Sequence, residues 1–357
     1  MEQSDLEELA GVVWPLLHTL EALGFIARYL NPPDFEAIME AAGEPEAALR
    51  AARPKLDAWP AALADLQPWL AQTADAALSA YGGLRAAQEE PQGMLEIYRA
   101  LRHYPRALEA LYPLAAVMPP VSTYFLDPSA RENLVLQQSL QEARPAENTG
   151  VLHFGAEPGA RGGCSIYVPE YYTPDRLWPL VMALHGGGGH GRSFLWNWLP
   201  AARSFGAVVI APTSQRDTWA FTDPGPDVAL MAHTLAEARR RWNIDPARVL
   251  LTGISDGGTF SYVAGLEADA PYTHLAPVAA AFHPMLAEMA EPARAAGLPI
   301  YLVHGALDWM FSVDMARAAR QALMNAGAAV TYRELDNLSH CYPQEENAAI
   351  LRWLRAS

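Results

Sequence analysis

The stretch VLLTGISDGGTF, Val249 to Phe260, sets an apolar run against a serine flanked two residues on either side by glycine. Val249, Leu250 and Leu251 read as a buried strand, and the residues after Gly257 read as a helix. Gly253-Ile254-Ser255-Asp256-Gly257 therefore places a G-x-S-x-G pattern at a strand-to-helix junction. Such a turn holds its serine in a strained, exposed position, and the neighbours must be small for strand and helix to approach. Roughly 0.1 matches to this pattern are expected by chance in a chain of this length. The strand before it and the helix after it supply the context that the pattern requires, and Ser255 is the candidate nucleophile.

Working outward, residues beyond about 150 alternate between apolar strands and amphipathic helices. TGVLHFG and GGCSIYVPEYY form an expected hairpin. LWPLVMALHGGGG, GAVVIAPTS, ARVLLTGIS, HLAPVAAAFHP, LPIYLVHGALD and AVTYREL are expected strands. DVALMAHTLAEARRRWN, SVDMARAARQALMNAG and PQEENAAILRWLRA are expected helices. Near-continuous apolar strands imply an α/β fold with a mostly parallel sheet and helices on both faces. Ligands and chemistry gather at the carboxyl ends of such strands.

Residues before about 145 differ. They are rich in Ala, Leu, Glu and Arg at helical spacing, as in LEELAGVVWPLLHTLEALGFIARYL. Prolines at 15, 32, 33, 45, 54, 60, 68, 91, 105 and 113 are expected to cut the region into five to seven short helices, since proline is disfavoured inside a helix. The expected organisation is a helical domain over 1–145 and a catalytic domain over 146–357. The segment LYPLAAVMPPVSTYFL, residues 111–126, is apolar and broken by proline. It suits a helical region that docks on the catalytic half and contributes to the substrate entrance.

The chain has 357 residues, of which 51% are hydrophobic and 18% charged, as expected of a globular protein with a sizeable core. Its formal net charge of −15 argues against nucleic acid and anionic membrane surfaces as partners. There is no run of about 20 uninterrupted apolar residues, so no membrane span is expected. The acidic start MEQSDLEELAGVVW lacks a basic, apolar leader pattern. The two cysteines, Cys164 and Cys341, form neither a disulfide framework nor a metal spacing. A cytoplasmic, reduced protein is expected, with association between copies left open.

A serine nucleophile needs a base, and the base an orienting carboxylate. LSHCYP puts His340 in a loop between the last strand and the last helix, and LVHGALDWM puts Asp308 just past the preceding strand. His185, His233, His283 and His304 are weaker candidates for the base; Asp314 and Asp336 are rivals for the acid. LHGGGGHG, Leu184 to Gly191, offers amides that can turn toward a developing oxyanion. Gly186 or Gly187 would supply one donor and the Asp256 N–H the other. No G-K-S/T follows these glycines, which speaks against a nucleotide loop.

LVMALHGGGG, NIDPARVLLTGISDGG, LVHGALD and LSHCYP together resemble the α/β-hydrolase superfamily. Within it they are most similar to the phospholipase/carboxylesterase and the polyhydroxyalkanoate-depolymerase/feruloyl-esterase-like groups of serine esterases. The resemblance covers roughly residues 150–357. Its order of nucleophile, acid and base matches Ser255, Asp308 and His340. The chain departs from many such esterases in carrying Asp256 after the nucleophile, and an acid there would disfavour anionic substrates. The implied activity is serine carboxylic-ester hydrolysis of a small-to-medium ester through an acyl-enzyme, with no metal or organic cofactor. Trp196, Trp198, Trp219 and Trp309 follow strand ends and are candidate pocket residues. The rival readings are a prolyl-oligopeptidase-type serine peptidase, usually joined to a β-propeller, and a non-catalytic binding protein on the same fold.

Overall fold

The structure is a computed structural model that describes residues 3–89, 93–144, 146–155, 157 and 159–356. Pro91 and the boundary residue Pro145 lie outside the described residues. The chain divides into two compact units, residues 1–125 and 126–357.

The first unit is helical. Among the described residues it contains α1 (Gln3–Tyr29), α2 (Phe35–Ala42), α3 (Pro45–Ala52), α4 (Gln67–Gln88), α5 (Met94–Leu101), α6 (His103–Leu111) and α7 (Pro119–Tyr124). Pro45 and Pro68 act as expected, sitting in the first turns of their helices, where a missing N–H costs nothing, and Pro119 does the same in α7. Pro15 does not break its helix. An interior proline costs about 3 kcal/mol. The buried stripe of Val12, Val13, Leu16, Leu17, Leu20, Leu23 and Ile26 runs through Pro15 on both sides and outweighs that cost. The segment Asp5–Tyr29 is, by length and composition, apolar enough to cross a membrane, with a best-window mean hydropathy of 1.5; 44% of that window is buried in the structure. Glu7, Glu8 and Glu21 break the segment into shorter apolar runs.

The second unit begins with α8 (Leu134–Glu142). Leu126, Ala130 and Leu136 pack with Tyr171 and Phe205 of this unit. The division at 125/126 thus falls twenty residues before the compositional change at 145. Eight strands follow: β1 (Gly150–Phe154), β2 (Cys164–Val168), β3 (Trp178–Leu184), β4 (Val208–Pro212), β5 (Ile244–Ile254), β6 (His274–Val278), β7 (Pro299–Gly305) and β8 (Ala329–Leu335). Their spatial order is β1-β2-β4-β3-β5-β6-β7-β8. β1 and β2 run antiparallel to their neighbours, and β3 to β8 are parallel. This is the α/β-hydrolase arrangement. The helices are α9 (Gly191–Phe205), α10 (Gly225–Arg241), α11 (Asp256–Gly265), α12 (Met285–Met289), α13 (Pro292–Ala295), α14 (Val313–Asn325) and α15 (Glu346–Ala356). Right-handed crossovers put α9 on one face and α10, α11 and α14 on the other, because only the β3-to-β4 step moves in the opposite direction along the sheet. Every residue of β3, β4 and β6 is buried, as strands covered on both faces require.

The reversal of direction makes β3 and β5 neighbours, with Leu184 opposite Gly253. It is the switch point at which such sheets open a crevice. On β5's other side, Ile254 lies opposite Val278 of β6, and farther along Gly305 of β7 lies opposite Leu335 of β8. These registers bring the loops after β3, β5, β7 and β8 to one edge.

Candidate active site

Ser255 lies between β5 and α11, as the residue that caps the helix, with φ 55° and ψ −121°. For a residue with a side chain this is a strained backbone, costing about 1–3 kcal/mol. The surroundings hold it there. The Ser255 N–H donates to Val278 O (3.0 Å), and the Thr259 N–H donates to Ser255 O (2.8 Å). A Cβ on Gly253 would lie 2.5 Å from the Gly257 carbonyl carbon, and one on Gly257 would lie 2.4 Å from His185 O. The two flanking glycines are therefore a steric requirement of β3, β5 and α11 meeting.

His340 Nε2 lies 3.0 Å from Ser255 Oγ, and His340 Nδ1 lies 2.9 Å from Asp308 Oδ2 and 3.1 Å from Oδ1. An ionised carboxylate only accepts, so Nδ1 carries the proton and Nε2 is free to accept from the serine hydroxyl. Asp308 Oδ1 also accepts from the Met310 and Phe311 N–H groups, each at 2.9 Å. Burial pushes the Asp308 carboxyl up, but hydrogen bonds from His340 and the Phe311 amide, with the charges of His340 and His304, hold it below its ordinary value. The Phe311 ring packs edge-on against His340 (5.3 Å), and its carbonyl accepts from His304 Nε2 (2.8 Å). His304 thus braces the acid's loop. Asp336 is exposed in a turn, and Asp314 pairs with Arg317 at the start of α14. His233 and His283 are exposed. Ser255, His340 and Asp308 are the trio that the fold brings together.

A Cβ on Gly186 would sit 3.5 Å from Ser255 Cβ, so the glycine loop lies against the serine. Asp256 opens α11, where the first amides have no partner within the helix. Its carboxylate turns toward the glycine loop: Oδ2 accepts from Thr218 Oγ1 and would be 2.7 Å from a Cβ on Gly187.

The four tryptophans divide. Trp309 is 51% exposed beside Asp308, at the open edge of the strands. Trp196 and Trp198 lie within α9 at 3% and 0% exposure, in the core and not at an open mouth. Trp219, at 1%, is a buttress and not an open wall: its Nε1 donates to His185 O (2.8 Å), and its ring stacks on Phe260 and lies tilted against the His185 ring. His185 Nδ1 donates to Gly186 O (2.7 Å), and Nε2 accepts from the Ser214 N–H (3.1 Å). Burial lowers the His185 pKa to about 4, which keeps the ring neutral in this bridging role. Among the described residues no group of three or more His, Cys, Asp or Glu side chains is placed to hold a metal ion. Arg161 and Asp227 are site-supporting residues that the sequence reading missed. Asp227, buried in the first turn of α10, accepts from the Gln215 and Ala220 N–H groups (2.8 and 3.0 Å) and ties down the loop after β4. An acidic residue in a helix's first turn was the available signal, but it is too common to select one.

Residues 226–357 match the phospholipase/carboxylesterase family. A curated relative, the bifunctional acetylxylan esterase/xylanase XynS20E of Neocallimastix patriciarum, is 30% identical over 158 residues, covering 43% of this chain. The match spans 22% of that relative's length. Among solved structures, a thermostable esterase aligns with a TM-score of 0.48 and 22% identity, over 58% of this chain and 62% of its own. A truncated carbohydrate esterase from gut microbiota aligns with a TM-score of 0.48 and 14% identity, over 59% of this chain and 98% of its own.

Proposed function

We propose that this chain is a serine carboxylic-ester hydrolase with Ser255 as nucleophile, His340 as base and Asp308 as orienting acid. The observation that carries the reading is the unbroken hydroxyl–imidazole–carboxylate chain, 3.0 Å then 2.9 Å, ending on a serine held at positive φ. His340 Nε2 takes the Ser255 proton as Oγ attacks the ester carbonyl. The carbonyl oxygen becomes an oxyanion facing the amides of Gly186 or Gly187 and Asp256. Collapse of this intermediate expels the alcohol, which leaves with the proton held on Nε2. Water then gives a proton to Nε2 and attacks the acyl-serine, and the acid departs as Ser255 recovers its proton. The cycle consumes one water, its acid–base and nucleophilic groups are side chains of this chain, and the proposed substrate is a small-to-medium ester. The acetylxylan esterase named in the curated relative makes short acyl esters of sugars the first class to assay.

The peptidase alternative is disfavoured by the first unit, which is helical where a propeller would be stranded. The binding-protein alternative is disfavoured by the retention of all three groups at hydrogen-bond distance. The test is a panel of p-nitrophenyl acyl esters, acetylated sugars and aminoacyl nitroanilides, run with the full chain and Ser255→Ala. Ester turnover abolished by Ser255→Ala supports the reading. Anilide turnover without ester turnover favours the peptidase, and ester turnover that survives in a folded Ser255→Ala protein removes the mechanism.

A further inference from the structure

The glycine loop after β3 has to be rigid if its amides are to act as donors, yet its own sequence, Gly186 to Gly189, offers no side chain to hold it. The restraint comes from outside. The Gly188 N–H donates to Asp217 O (2.9 Å), and the Gly189 N–H donates back to Gly186 O (3.0 Å). Arg161, in the β1–β2 loop, spans the two loops that meet there. Its Nη1 donates to Gly189 O (2.7 Å) and to Ser214 Oγ (3.3 Å); its Nη2 donates to Asp217 O (3.1 Å). The same Asp217 carbonyl thus receives both the glycine loop and the guanidinium. One residue before Arg161, Ala160 O accepts from His190 Nε2 (3.1 Å) at the far end of the glycine loop.

We infer that Arg161 is a positioning residue, whose guanidinium sets the distance between the oxyanion amides and Ser255 by clamping the loop after β3 to the loop after β4. This deepens the ester-hydrolase reading and rests on it. Three features support a positioning role over a merely structural one. The ion pair to Asp217 is long (4.0 Å), and the Asp217 side chain is fully exposed, so the pair adds little to stability. Backbone carbonyls accept from two different guanidinium nitrogens, and only a planar fork meets them together; a lysine ammonium, a point charge, reaches one at a time. Both clamped segments adjoin the proposed donors: Gly189 belongs to the glycine loop, and Asp217 precedes Thr218, which binds the Asp256 carboxylate.

The test compares wild type, Arg161→Ala and Arg161→Lys as full chains. Kinetics on p-nitrophenyl acetate are measured alongside hydrogen exchange of peptides covering residues 185–190. Removing one oxyanion donor typically costs about 10²–10³ in kcat. Displacing both donors without deleting either predicts a loss of about 10–10² in kcat for Arg161→Ala, with KM changed by less than about threefold. Arg161→Lys recovers part of that loss. Tens of millimolar guanidinium chloride raises kcat of Arg161→Ala and of no other form, whereas sodium chloride at equal strength does not. Exchange in 185–190 quickens in Arg161→Ala while β3 and β5 stay protected. A folded Arg161→Ala protein with wild-type kcat and wild-type loop exchange overturns the inference. So does a kcat loss that neither guanidinium nor lysine relieves and that is matched by a general fall in protection. An inactive wild type would count against the hydrolase reading instead, and the exchange measurement would still decide whether Arg161 holds the loop.

Discussion

Replacing Asp308 by asparagine separates charge from shape at the acid of the proposed triad. The asparagine amide has two orientations. In one, its carbonyl oxygen keeps the Met310 and Phe311 N–H bonds now made to Oδ1, and its NH₂ faces His340 Nδ1. In the other, the NH₂ is turned against two N–H donors, and two bonds to a neutral amide carbonyl are lost with no substitute. Such bonds contribute about 0.5–1.5 kcal/mol each, so the second orientation forfeits about 1–3 kcal/mol. Moving the proton of a neutral imidazole from Nδ1 to Nε2 costs far less, and the first orientation wins. His340 then accepts at Nδ1 and carries its proton at Nε2, where it faces Ser255 Oγ as a donor and can no longer act as base. The fold survives and catalysis does not. The expected loss in kcat is on the order of 10⁴, equivalent to about 5 kcal/mol of barrier. Asp336→Asn, at an exposed turn, should change kcat by less than about threefold. The assay is p-nitrophenyl acetate hydrolysis, with circular dichroism and melting to equalise fold content. A folded Asp308→Asn protein keeping more than about a tenth of wild-type kcat would refute the tautomer argument. The reverse order of damage would transfer the role to Asp336.

The remaining expectations concern stability, selectivity and the unit boundary. Burial lowers the His185 pKa to about 4, whereas an unfolded histidine titrates near 6.5, so the folded state binds fewer protons between those values. Stability from this site is full above about 6.5 and falls by about 3 kcal/mol as pH drops toward 4, with His274 adding in the same direction; a flat urea midpoint across that window would contradict this. The Asp256 carboxylate beside Gly187 should repel anionic acyl groups. Asp256→Asn is expected to raise kcat/KM for a p-nitrophenyl hemisuccinate relative to the acetate by roughly tenfold at low salt, shrinking as salt is added; an unchanged ratio would leave Asp256 without a part in selectivity. Finally, a chain starting at Leu126 should melt higher than one starting at Asn148. The shorter chain loses the packing of Leu126, Ala130 and Leu136 on Tyr171 and Phe205, and equal melting temperatures would show that this packing adds nothing.

What the sequence revealed and what it hid differ in physical kind. The elbow was legible because sterics leave no alternative: with Gly253 and Gly257 pressed on backbone atoms, only hydrogen fits, and the need appears as a letter at a fixed spacing. The strands were legible because double-sided burial makes them apolar throughout. The nearness of Asp308 and His340 to Ser255 was legible through their places after β7 and β8, since a loop that follows a parallel strand of this sheet emerges at the edge where Ser255 lies. Trp196, Trp198 and Trp219 were harder, because an aromatic after a strand end can face the crevice or the core with the same neighbours in sequence. α9 carries Pro200 in its interior, which weakens its helical signature, and burial there was decided by what α15 and the loop before it lay over it, as in the Asn347 Nδ2 bond to Asn197 O (2.8 Å). Pro15 misled for the complementary reason: a local penalty of about 3 kcal/mol is visible in one residue, whereas the burial that exceeds it is spread over several turns. Arg161 lies at the end of this scale. Its partners are mainly backbone carbonyls, which every residue has, so no pattern of side chains announces them. A residue that acts by holding main chain becomes visible only when the two loops it holds have been folded to the same place.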